Sequence, residues 1–300
     1  MSFDVVGFGA LNLDKLYYVK EIIKEDGESI ITNLKESAGG SAANTIVGLS
    51  RLGLKTGFIG KVASDYEGKL LLDEFRKEKV NIKGITKSNK DRSGIVLGFE
   101  DKKGNRILYI YPGVNDFIEF KDIELDYANN TQFLHISSFA GKKSFTTQKK
   151  LVKLLSDVKI SFDPGDLYAR IGLEALKPII RRSYVMFPNA KEVKMLTGQD
   201  YEEGAKIFIE EGVDIVAVKL GKEGCYVTDR NESHLIEPYK VKDVYPTGAG
   251  DAFCAGFLFG LVKERSLFDC GRIGNFVASR CISEKGARNG LPRLEDLKNL

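Results

Sequence analysis

The 300-residue sequence predicts one α/β domain spanning residues 1–300, a three-layer α/β/α arrangement that carries a small β-sheet lid. Strand-like and helix-like runs alternate along most of the chain, a rhythm typical of a parallel sheet covered by helices on both faces. Two pairs of short strands interrupt that rhythm, at about 15–35 and 92–112, and we expect these insertions to form one lid. No linker, low-complexity segment or internal repeat divides the chain.

The first strand, 3–9, is apolar at Val5, Val6 and Phe8 and ends in glycine, which is typical of a buried strand. Similar apolar runs predict further strands of the main sheet at 56–60, 133–136, 158–162, 184–187 and 215–219. Apolar residues at helical spacing predict helices at 41–52, 66–79, 144–156, 202–211, 252–263 and 272–283. The lid strands are predicted at 16–19, 29–34, 93–99 and 106–111, the last two flanking a polar turn.

Composition argues against several classes of protein. The net charge of +3 is spread along the sequence, so we expect no nucleic-acid partner. The longest apolar stretches are too short or too interrupted to span a bilayer, and a strand lies where a signal peptide would place a basic region, so we expect a cytoplasmic protein without membrane association. The four cysteines are too widely spaced for a zinc site and are expected to be buried as small apolar side chains.

A glycine-rich run, Thr247-Gly248-Ala249-Gly250-Asp251, precedes the apolar helix 252–263. Its glycines let a ligand approach the backbone, and the unpaired N–H groups of a helix N-terminus attract phosphate. Asp251 is unusual there, because a carboxylate beside a phosphate site repels the ligand unless it serves a hydroxyl approaching that phosphate. By itself the run is equally compatible with Asp251 acting only as a helix cap.

Other phosphate-binding and kinase motifs are missing from the sequence. Gly141-Lys142 is followed by Lys143 and lacks the upstream glycine of a P-loop. Asn12 occupies the position of the third glycine in a dinucleotide fingerprint that would begin at Gly7. No His-Arg-Asp or Asp-Phe-Gly run marks a protein kinase.

Taken together with residues 247–251, three further segments resemble the ribokinase-like (PfkB) carbohydrate kinase family along the whole chain. Residues 38–44, Ala-Gly-Gly-Ser-Ala-Ala-Asn, are similar to the N-terminal signature of that family, and residues 189–192 match its Asn-x-x-Glu motif. Residues 219–224, Lys-Leu-Gly-Lys-Glu-Gly, resemble its nucleotide-site turn, and the closing pattern at 286–292 is also similar. The resemblance implies a ribokinase-like, Rossmann-like fold and an ATP-dependent phosphotransferase that acts on an alcohol group.

The resemblance implies that Asp251 takes the proton of the acceptor hydroxyl while the backbone of Gly248, Ala249 and Gly250 binds the transferring phosphate. Because Asp251 lies near a helix N-terminus, we expect a depressed pKa for its carboxyl group. Asn189 and Glu192, spaced i and i+3, would share one helical face and reach a hydrated Mg²⁺, although an N-cap asparagine with a surface glutamate gives the same pattern. The further nucleotide-binding residues that the resemblance implies, beside Asn189, Gly248 and Gly250, are Lys219, Gly221, Gly224, Thr247 and Asn275.

The acceptor is expected on the other side of Asp251. Asn12 and Asp14 follow the first strand and have the donors and acceptors to hold a sugar diol. Gly39 and Gly40 allow close approach, and Asn44 lies one helical turn further on, where the family binds its acceptor. The lid aromatics Phe99, Tyr109 and Tyr111 can cover a sugar or stack on a base, and lid pairing in the family implies a homodimer.

Residues 245–246, directly before the glycine-rich run, depart from the family pattern. Tyr245-Pro246 stands where the family commonly has an aspartate that contributes to a monovalent-cation site, and the nearest acid is Asp243. Activation by K⁺ is therefore not expected unless backbone carbonyls suffice.

Within the family, the chain looks most like archaeal-type nucleoside kinases, which phosphorylate the 5′-hydroxyl of ribonucleosides. Sugar kinases of the family share the same motifs and remain an alternative, as does a catalytically silent ligand sensor. Arg92 and Arg106 keep open a phosphorylated acceptor, which would require extra basic residues.

Overall fold

The structure is a computed structural model that describes residues 2–242, 244–298 and 300. Its strands are β1 (Phe3–Phe8), β2 (Asn12–Val19), β3 (Ile31–Gly39), β4 (Thr56–Ala63), β5 (Ile85–Ser88), β6 (Gly94–Glu100), β7 (Arg106–Tyr111), β8 (Thr131–Ser137), β9 (Lys159–Asp163), β10 (Ser183–Met186), β11 (Ile215–Lys219), β12 (Cys225–Thr228) and β13 (Ser233–Ile236). Its α-helices are α1 (Ser41–Arg51), α2 (Tyr66–Lys77), α3 (Leu125–Asn129), α4 (Lys142–Leu154), α5 (Gly165–Ala169), α6 (Leu173–Ile180), α7 (Ala190–Thr197), α8 (Tyr201–Glu210), α9 (Ala249–Val262) and α10 (Leu267–Ile282).

The main sheet has the strand order β13-β12-β11-β10-β9-β8-β1-β4-β5. The neighbours from β11 to β5 all pair in parallel, as the alternating strand and helix pattern predicts. The parallel pairing ends at one edge of the sheet, where β11, β12 and β13 pair antiparallel. Strands β12 and β13 are only four residues long, and the 3-10 turn Gly221–Glu223 reverses the chain directly between β11 and β12.

The sheet is covered by helices on both faces. Because side chains alternate along a strand, Val5 packs into one core with α1, α2, α9 and α10, while Val6 and Phe8 pack into the other with α4, α6, α7 and α8. These strands are therefore apolar on both sides, which is why they appear in the sequence as continuous apolar runs.

The second sheet has the order β3-β2-β6-β7 and contains the strands of the two predicted insertions. β2 begins at Asn12 and β3 ends at Gly39, and these two residues pair. Both strands therefore extend closer to the main sheet than the predicted limits of 16 and 34. Asn12 and Asp14 consequently lie on a strand of the second sheet, two residues apart and thus on one face.

Two features of the topology position the site. From β1 the chain moves to β4 on one side, and it later returns to β8 on the other, so the strand order reverses between β1 and β8. In open α/β sheets, ligands bind in the crevice beyond the carboxyl ends of the strands at such a point. In the part of the chain that is described, no helix is long and apolar enough to cross a membrane.

Candidate active site

Asp251 lies in the first turn of α9, which begins at Ala249 and not at Ala252 as the apolar pattern predicted. Gly248 caps the helix with a φ of 84°, and a Cβ at that position would lie 2.6 Å from the Cα of Ala287. The cap therefore requires glycine, and Ala249 and Gly250 belong to the helix with their N–H groups at its positive end.

The Asp251 carboxylate is held by the N-terminal turns of α1. The Ser41 hydroxyl donates to Oδ1 at 2.6 Å, and the Asn44 amide Nδ2 donates to Oδ2 at 2.8 Å. The Thr45 hydroxyl also donates to the Asp251 backbone carbonyl at 3.2 Å. Sequence reasoning predicted Asn44 as a contact to the acceptor and did not identify these hydrogen bonds from Ser41, Asn44 and Thr45 to Asp251.

The expectation of a depressed Asp251 pKa is wrong. Burial raises the pKa of the carboxyl group to about 6, and it outweighs the opposing effect of the hydrogen bonds from Ser41 and Asn44. The nearby carboxylate of Asp163 raises the pKa further, while the Lys219 ammonium lowers it. A carboxylate with this pKa is still ionised at neutral pH, yet it is a better base than an ordinary aspartate.

Asp14 presents its carboxylate to the same space. Both oxygens lie over Gly39, where a Cβ would come within 2.5 Å of Oδ2, so a larger residue there would displace the carboxylate. Burial raises the pKa of Asp14 to about 6, although the guanidinium groups of Arg288 and Arg106 oppose that rise. The neighbouring Gly40 is the N-cap of α1 with a φ of 102°.

Asn12 has a structural partner that the sequence did not reveal. Buried Asn115 donates through Nδ2 to the Asn12 side-chain oxygen and to the Leu11 carbonyl, both at 3.0 Å. The Leu11 N–H in turn donates to the Asn115 side-chain oxygen at 3.0 Å. Asn115 thereby fixes the start of β2, on which Asn12 and Asp14 lie.

Asn189 and Glu192 bind one another at the start of α7. Asn189 is the N-cap, so it does not lie on the helix face that the i, i+3 spacing suggested, and its side chain accepts from the Glu192 N–H at 2.8 Å. The Glu192 carboxylate accepts from the Asn189 N–H at 2.8 Å and from its amide at 2.7 Å. Burial, followed by the charge of Asp163, raises the pKa of Glu192 to about 7.

Asp163, at the end of β9, completes this part of the site. Its carboxylate pairs with the Lys219 ammonium at 2.8 Å, and both side chains are almost wholly buried. The ammonium is so near the glycine-rich turn that a Cβ on Gly250 would lie 3.3 Å from Nζ. Although burial opposes its charge, the neighbouring acids, chiefly Asp163, raise the pKa of Lys219. Sequence reasoning missed Asp163, although a carboxylate at the end of an apolar strand could have indicated it.

A cavity of about 450 Å³ adjoins Lys219 and Gly250. Its walls combine a glycine turn with apolar side chains, and the predicted nucleotide residues among them are Lys219, Gly221, Gly224, Gly250 and Asn275. Asn275 donates through Nδ2 to the carbonyls of Ile236 and Glu237, both at 3.0 Å, so it shapes the wall by holding the segment after β13.

Thr247 lies outside that wall and contacts the lid. Its hydroxyl accepts from the Arg106 guanidinium of β7 at 2.9 Å. The preceding Tyr245 ring has the Lys285 ammonium 5.4 Å from its centroid, and Asp243 is outside the described residues.

Arg288 was missed by sequence reasoning because it lies in the loop after α10, far along the chain from its partners. Its Nε donates to the Asn44 side-chain oxygen at 2.7 Å. The four cysteines are buried, as predicted, and burial lowers the pKa of His135 to about 4.

The fold and this site together define a phosphotransferase that uses a hydroxyl group as acceptor. Residues 2–294 match the pfkB family of carbohydrate kinases, and the chain belongs to that family. This confirms the predicted family and the ribokinase-like fold class.

Individual relatives agree with the assignment to the family. An uncharacterized sugar kinase from Archaeoglobus fulgidus is 44% identical over 83% of this chain and all of its own length. A crystal structure of a ribokinase from Thermotoga maritima has a TM-score of 0.89 at 24% identity, covering 99% of this chain and 98% of that one. The nucleoside kinase of Methanocaldococcus jannaschii, an archaeal member of the ribokinase family, has a TM-score of 0.85 at 25% identity, covering 98% of this chain and 97% of that one.

Proposed function

We propose that the protein transfers the γ-phosphoryl group of ATP to the 5′-hydroxyl of ribonucleosides. Asp251 acts as the base, and the backbone N–H groups of Gly248, Ala249 and Gly250 bind the phosphoryl group. One observation carries this proposal: the Asp251 carboxylate is fixed by Ser41 and Asn44 at the positive end of α9. A carboxylate in that place serves a hydroxyl that approaches a phosphate.

In the proposed reaction, the acceptor oxygen forms a bond to the γ-phosphorus while the bond to the β,γ-bridging oxygen breaks. The acceptor proton passes to Asp251, and ADP leaves. A carboxylate has about four acceptor positions, so the hydrogen bonds from Ser41 and Asn44 leave room for the acceptor hydroxyl. Positioning supplies most of the rate, since the transition state of phosphoryl transfer is loose.

Lys219 is proposed to contact the phosphate chain. Its ammonium lies against Gly250 and opens onto the cavity that would take ATP. The buried carboxylate of Asp163 keeps this ammonium charged and in place. A fixed cation beside the N–H groups of α9 favours the charge that develops on a transferring phosphoryl group.

The residues near Asp163 fit a magnesium ion held through water. Carboxylate and amide oxygens from Asp163, Glu192 and Asn189 are hard ligands, and Mg²⁺ in kinases commonly uses one or two carboxylates, waters and substrate phosphates. Since the capping hydrogen bonds already engage Asn189 and Glu192, water-mediated contact suits these two better than direct ligation. When bound, the ion would neutralise charge on the phosphates of ATP.

The acceptor is proposed to lie between Asp14 and Asp251. The Asp14 carboxylate can accept from two neighbouring hydroxyls, and Asn12 lies on the same face of β2. Tyr17 stacks on Phe99 with ring centroids 5.4 Å apart, and Tyr109 meets the edge of Phe99. The strand register puts these rings, and Tyr111, on the opposite face of the second sheet from Asn12 and Asp14, so the predicted aromatic cover of the acceptor is not supported. The nucleoside acceptor is supported instead by the likeness to the Methanocaldococcus jannaschii nucleoside kinase.

A free sugar is the second candidate, and the Archaeoglobus fulgidus relative favours it. A sugar phosphate has less support, because the two candidate arginines already have partners: Arg92 contacts Glu67 at 3.4 Å, and Arg106 contacts Thr247. A silent sensor has least support, since Asp251, Lys219 and the glycine turn are all present together.

The test is to incubate the purified protein with Mg-ATP and separate ribonucleosides, free sugars and sugar phosphates, and to follow ADP release with identification of the product. We expect turnover with ribonucleosides and a 5′-phosphate product. Turnover with sugars alone would replace the nucleoside by the sugar candidate, and no turnover with any acceptor would favour the sensor.

A further inference from the structure

The Arg288 side chain is buried beside the acceptor space, yet most of its donors are unused. Only 9% of the residue is exposed. Nε donates to Asn44, whereas Nη1 and Nη2 have no hydrogen-bond partner within residues 2–242, 244–298 and 300. A buried guanidinium with unpaired amino groups costs stability, so its presence requires a reason beyond packing.

The bond from Arg288 determines which way the Asn44 amide faces. Arginine has donors and no acceptor, so only the oxygen of the amide can face it. The Asn44 amino group is thereby directed toward Asp251, where it donates to Oδ2. If the amide turned over, its oxygen would face the carboxylate and repel it, because both are acceptors.

We propose that Arg288 is a positioning residue for phosphoryl transfer, which acts through Asn44 to hold the Asp251 carboxylate in its reactive orientation. A hydrogen-bonded chain of Arg288, Asn44 and Asp251 links the loop after α10 to α1 and α9. The inference rests on the proposed role of Asp251 as the base.

Arg288 also has an electrostatic effect on the acceptor side. Its guanidinium opposes the rise in the pKa of Asp14, as does Arg106 from the lid, while Asp251 from α9 adds to that rise. The charged groups that face Asp251 are Asp163 from β9, Lys219 from β11, Asp14 from β2 and Arg288 itself. Loss of the Arg288 charge should therefore raise the pKa of Asp14 above about 6 and leave fewer ionised molecules at mildly acidic pH.

The backbone of Arg288 has a separate structural role that substitution does not remove. Its carbonyl accepts from the Arg51 guanidinium at 2.6 Å. The side chain otherwise lies over Phe75, with Cζ 5.9 Å from the ring centroid. Arg288→Met keeps the aliphatic length of the side chain and removes its charge and donors, and Arg288→Lys keeps the charge.

The decisive experiment is a double-mutant cycle with the best acceptor of the panel. We expect Arg288→Met to lower kcat about 10- to 100-fold, as for a lost charge-assisted hydrogen bond, while the KM for ATP stays within about twofold. In the Asn44→Ala background, Arg288→Met should lower kcat by about twofold or less, because the Asn44 side chain through which Arg288 acts is absent. An equal loss in both backgrounds would overturn the proposal.

The pH profile separates positioning from general structural damage. The acidic limb of the pH profile of kcat/KM should move to higher pH in Arg288→Met, because the pKa of Asp14 rises when the Arg288 charge is lost. It should stay near the wild-type position in Arg288→Lys, which keeps the charge. Exposed Arg280→Met is the matched control and should change neither kcat nor the limb. If Arg288→Met does not fold, Arg288→Lys in the two Asn44 backgrounds supplies the cycle. A defect confined to acceptors that carry an anionic group would overturn the proposal, since it would identify Arg288 as a direct contact to that group.

Failure of this inference can be told apart from failure of the proposed base. If Asp251→Asn keeps its rate, the assignment of Asp251 is wrong whatever Arg288 does. If Asp251→Asn loses its rate while the Arg288 effect is independent of Asn44, only the positioning role is wrong.

Discussion

Substitution of Asp251 by asparagine removes the proposed base with little change of shape. The asparagine oxygen can accept from Asn44, and its amino group can donate to the Ser41 hydroxyl, which is able to accept as well as donate. Both contacts between α1 and α9 are thus retained. We therefore expect Asp251→Asn to keep the native fold and to lose activity through chemistry alone.

The expected loss of rate follows from the role of the carboxylate. General-base assistance typically contributes about 10²- to 10⁴-fold, which corresponds to about 3 to 5 kcal/mol of transition-state stabilisation. We propose that ATP binds on the opposite side of the glycine turn, so Asp251→Asn removes none of its contacts. The affinity for ATP should therefore stay within about twofold of wild type. The assay is ADP release under saturating substrates, with ATP affinity measured separately by calorimetry.

Although Asp251→Asn lowers activity, it should increase the free energy of unfolding. Burial raises the folded-state pKa of Asp251 from 3.8 to about 6, so the native state binds this proton more tightly than the unfolded chain. The stability that protonated Asp251 contributes is fully present below about pH 4 and is lost as the pH rises through about 6. Two pKa units correspond to about 3 kcal/mol, which is an upper limit for the gain of Asp251→Asn at neutral pH.

Two results would refute this reasoning. One is a rate for Asp251→Asn within about threefold of wild type, which is far less than general-base catalysis supplies. The other is a gain in urea stability that is equal at about pH 4 and about pH 7.5, since the ionisation of Asp251 would then not be its cause.

Three further predictions concern the surroundings of the site. Asp163→Asn leaves the Lys219 ammonium without its closest partner, so the free energy of unfolding in urea should fall by about 3 kcal/mol. The control is Asp166→Asn at a half-exposed site, which removes only ion pairs to exposed Arg170 and Lys191 and should change that free energy little. Tyr245 stands in place of the family's cation-binding acid, and the Lys285 ammonium lies over its ring. Initial rates in K⁺, Na⁺ and tetramethylammonium salts should therefore agree within about twofold. Strong activation by K⁺ alone would contradict this prediction. Strand β7 is exposed along its whole length, and 60% of the surface of Tyr109 is accessible, so we propose that two copies of the protein dimerise through this strand. Light scattering should detect the homodimer, and a charged residue in place of Tyr109 should dissociate it. A monomer at all concentrations would count against the proposal.

Much of the fold could be predicted because the buried strands are apolar on both faces. Val5, Val6 and Phe8 are consecutive or nearly so, and they enter two different cores. The antiparallel edge could not be predicted from the same signal, since β12 and β13 are short and β13 is mostly exposed.

The candidate site was predictable where its residues lie within one local motif. Gly248, Gly250 and Asp251 are neighbours in sequence, and so are Asn189 and Glu192, whose capping pattern is local. The pairing of Asp163 with Lys219 and of Arg288 with Asn44 joins residues that lie 56 and 244 positions apart. Such contacts depend on strand order and loop position, which spacing along one sequence does not encode.

The wrong pKa expectation for Asp251 has the same origin. A helix N-terminus is a local feature, and its positive end favours an ionised carboxylate. The burial of Asp251 depends on tertiary structure, because α1 and the strands that carry Asp163 and Lys219 surround the carboxylate. In this site desolvation outweighs the local effect and raises the pKa to about 6. A residue that a sequence motif presents as a weak base therefore becomes one suited to accept a proton near neutral pH, and the elements that bury it contribute to the proposed chemistry as directly as the motif does.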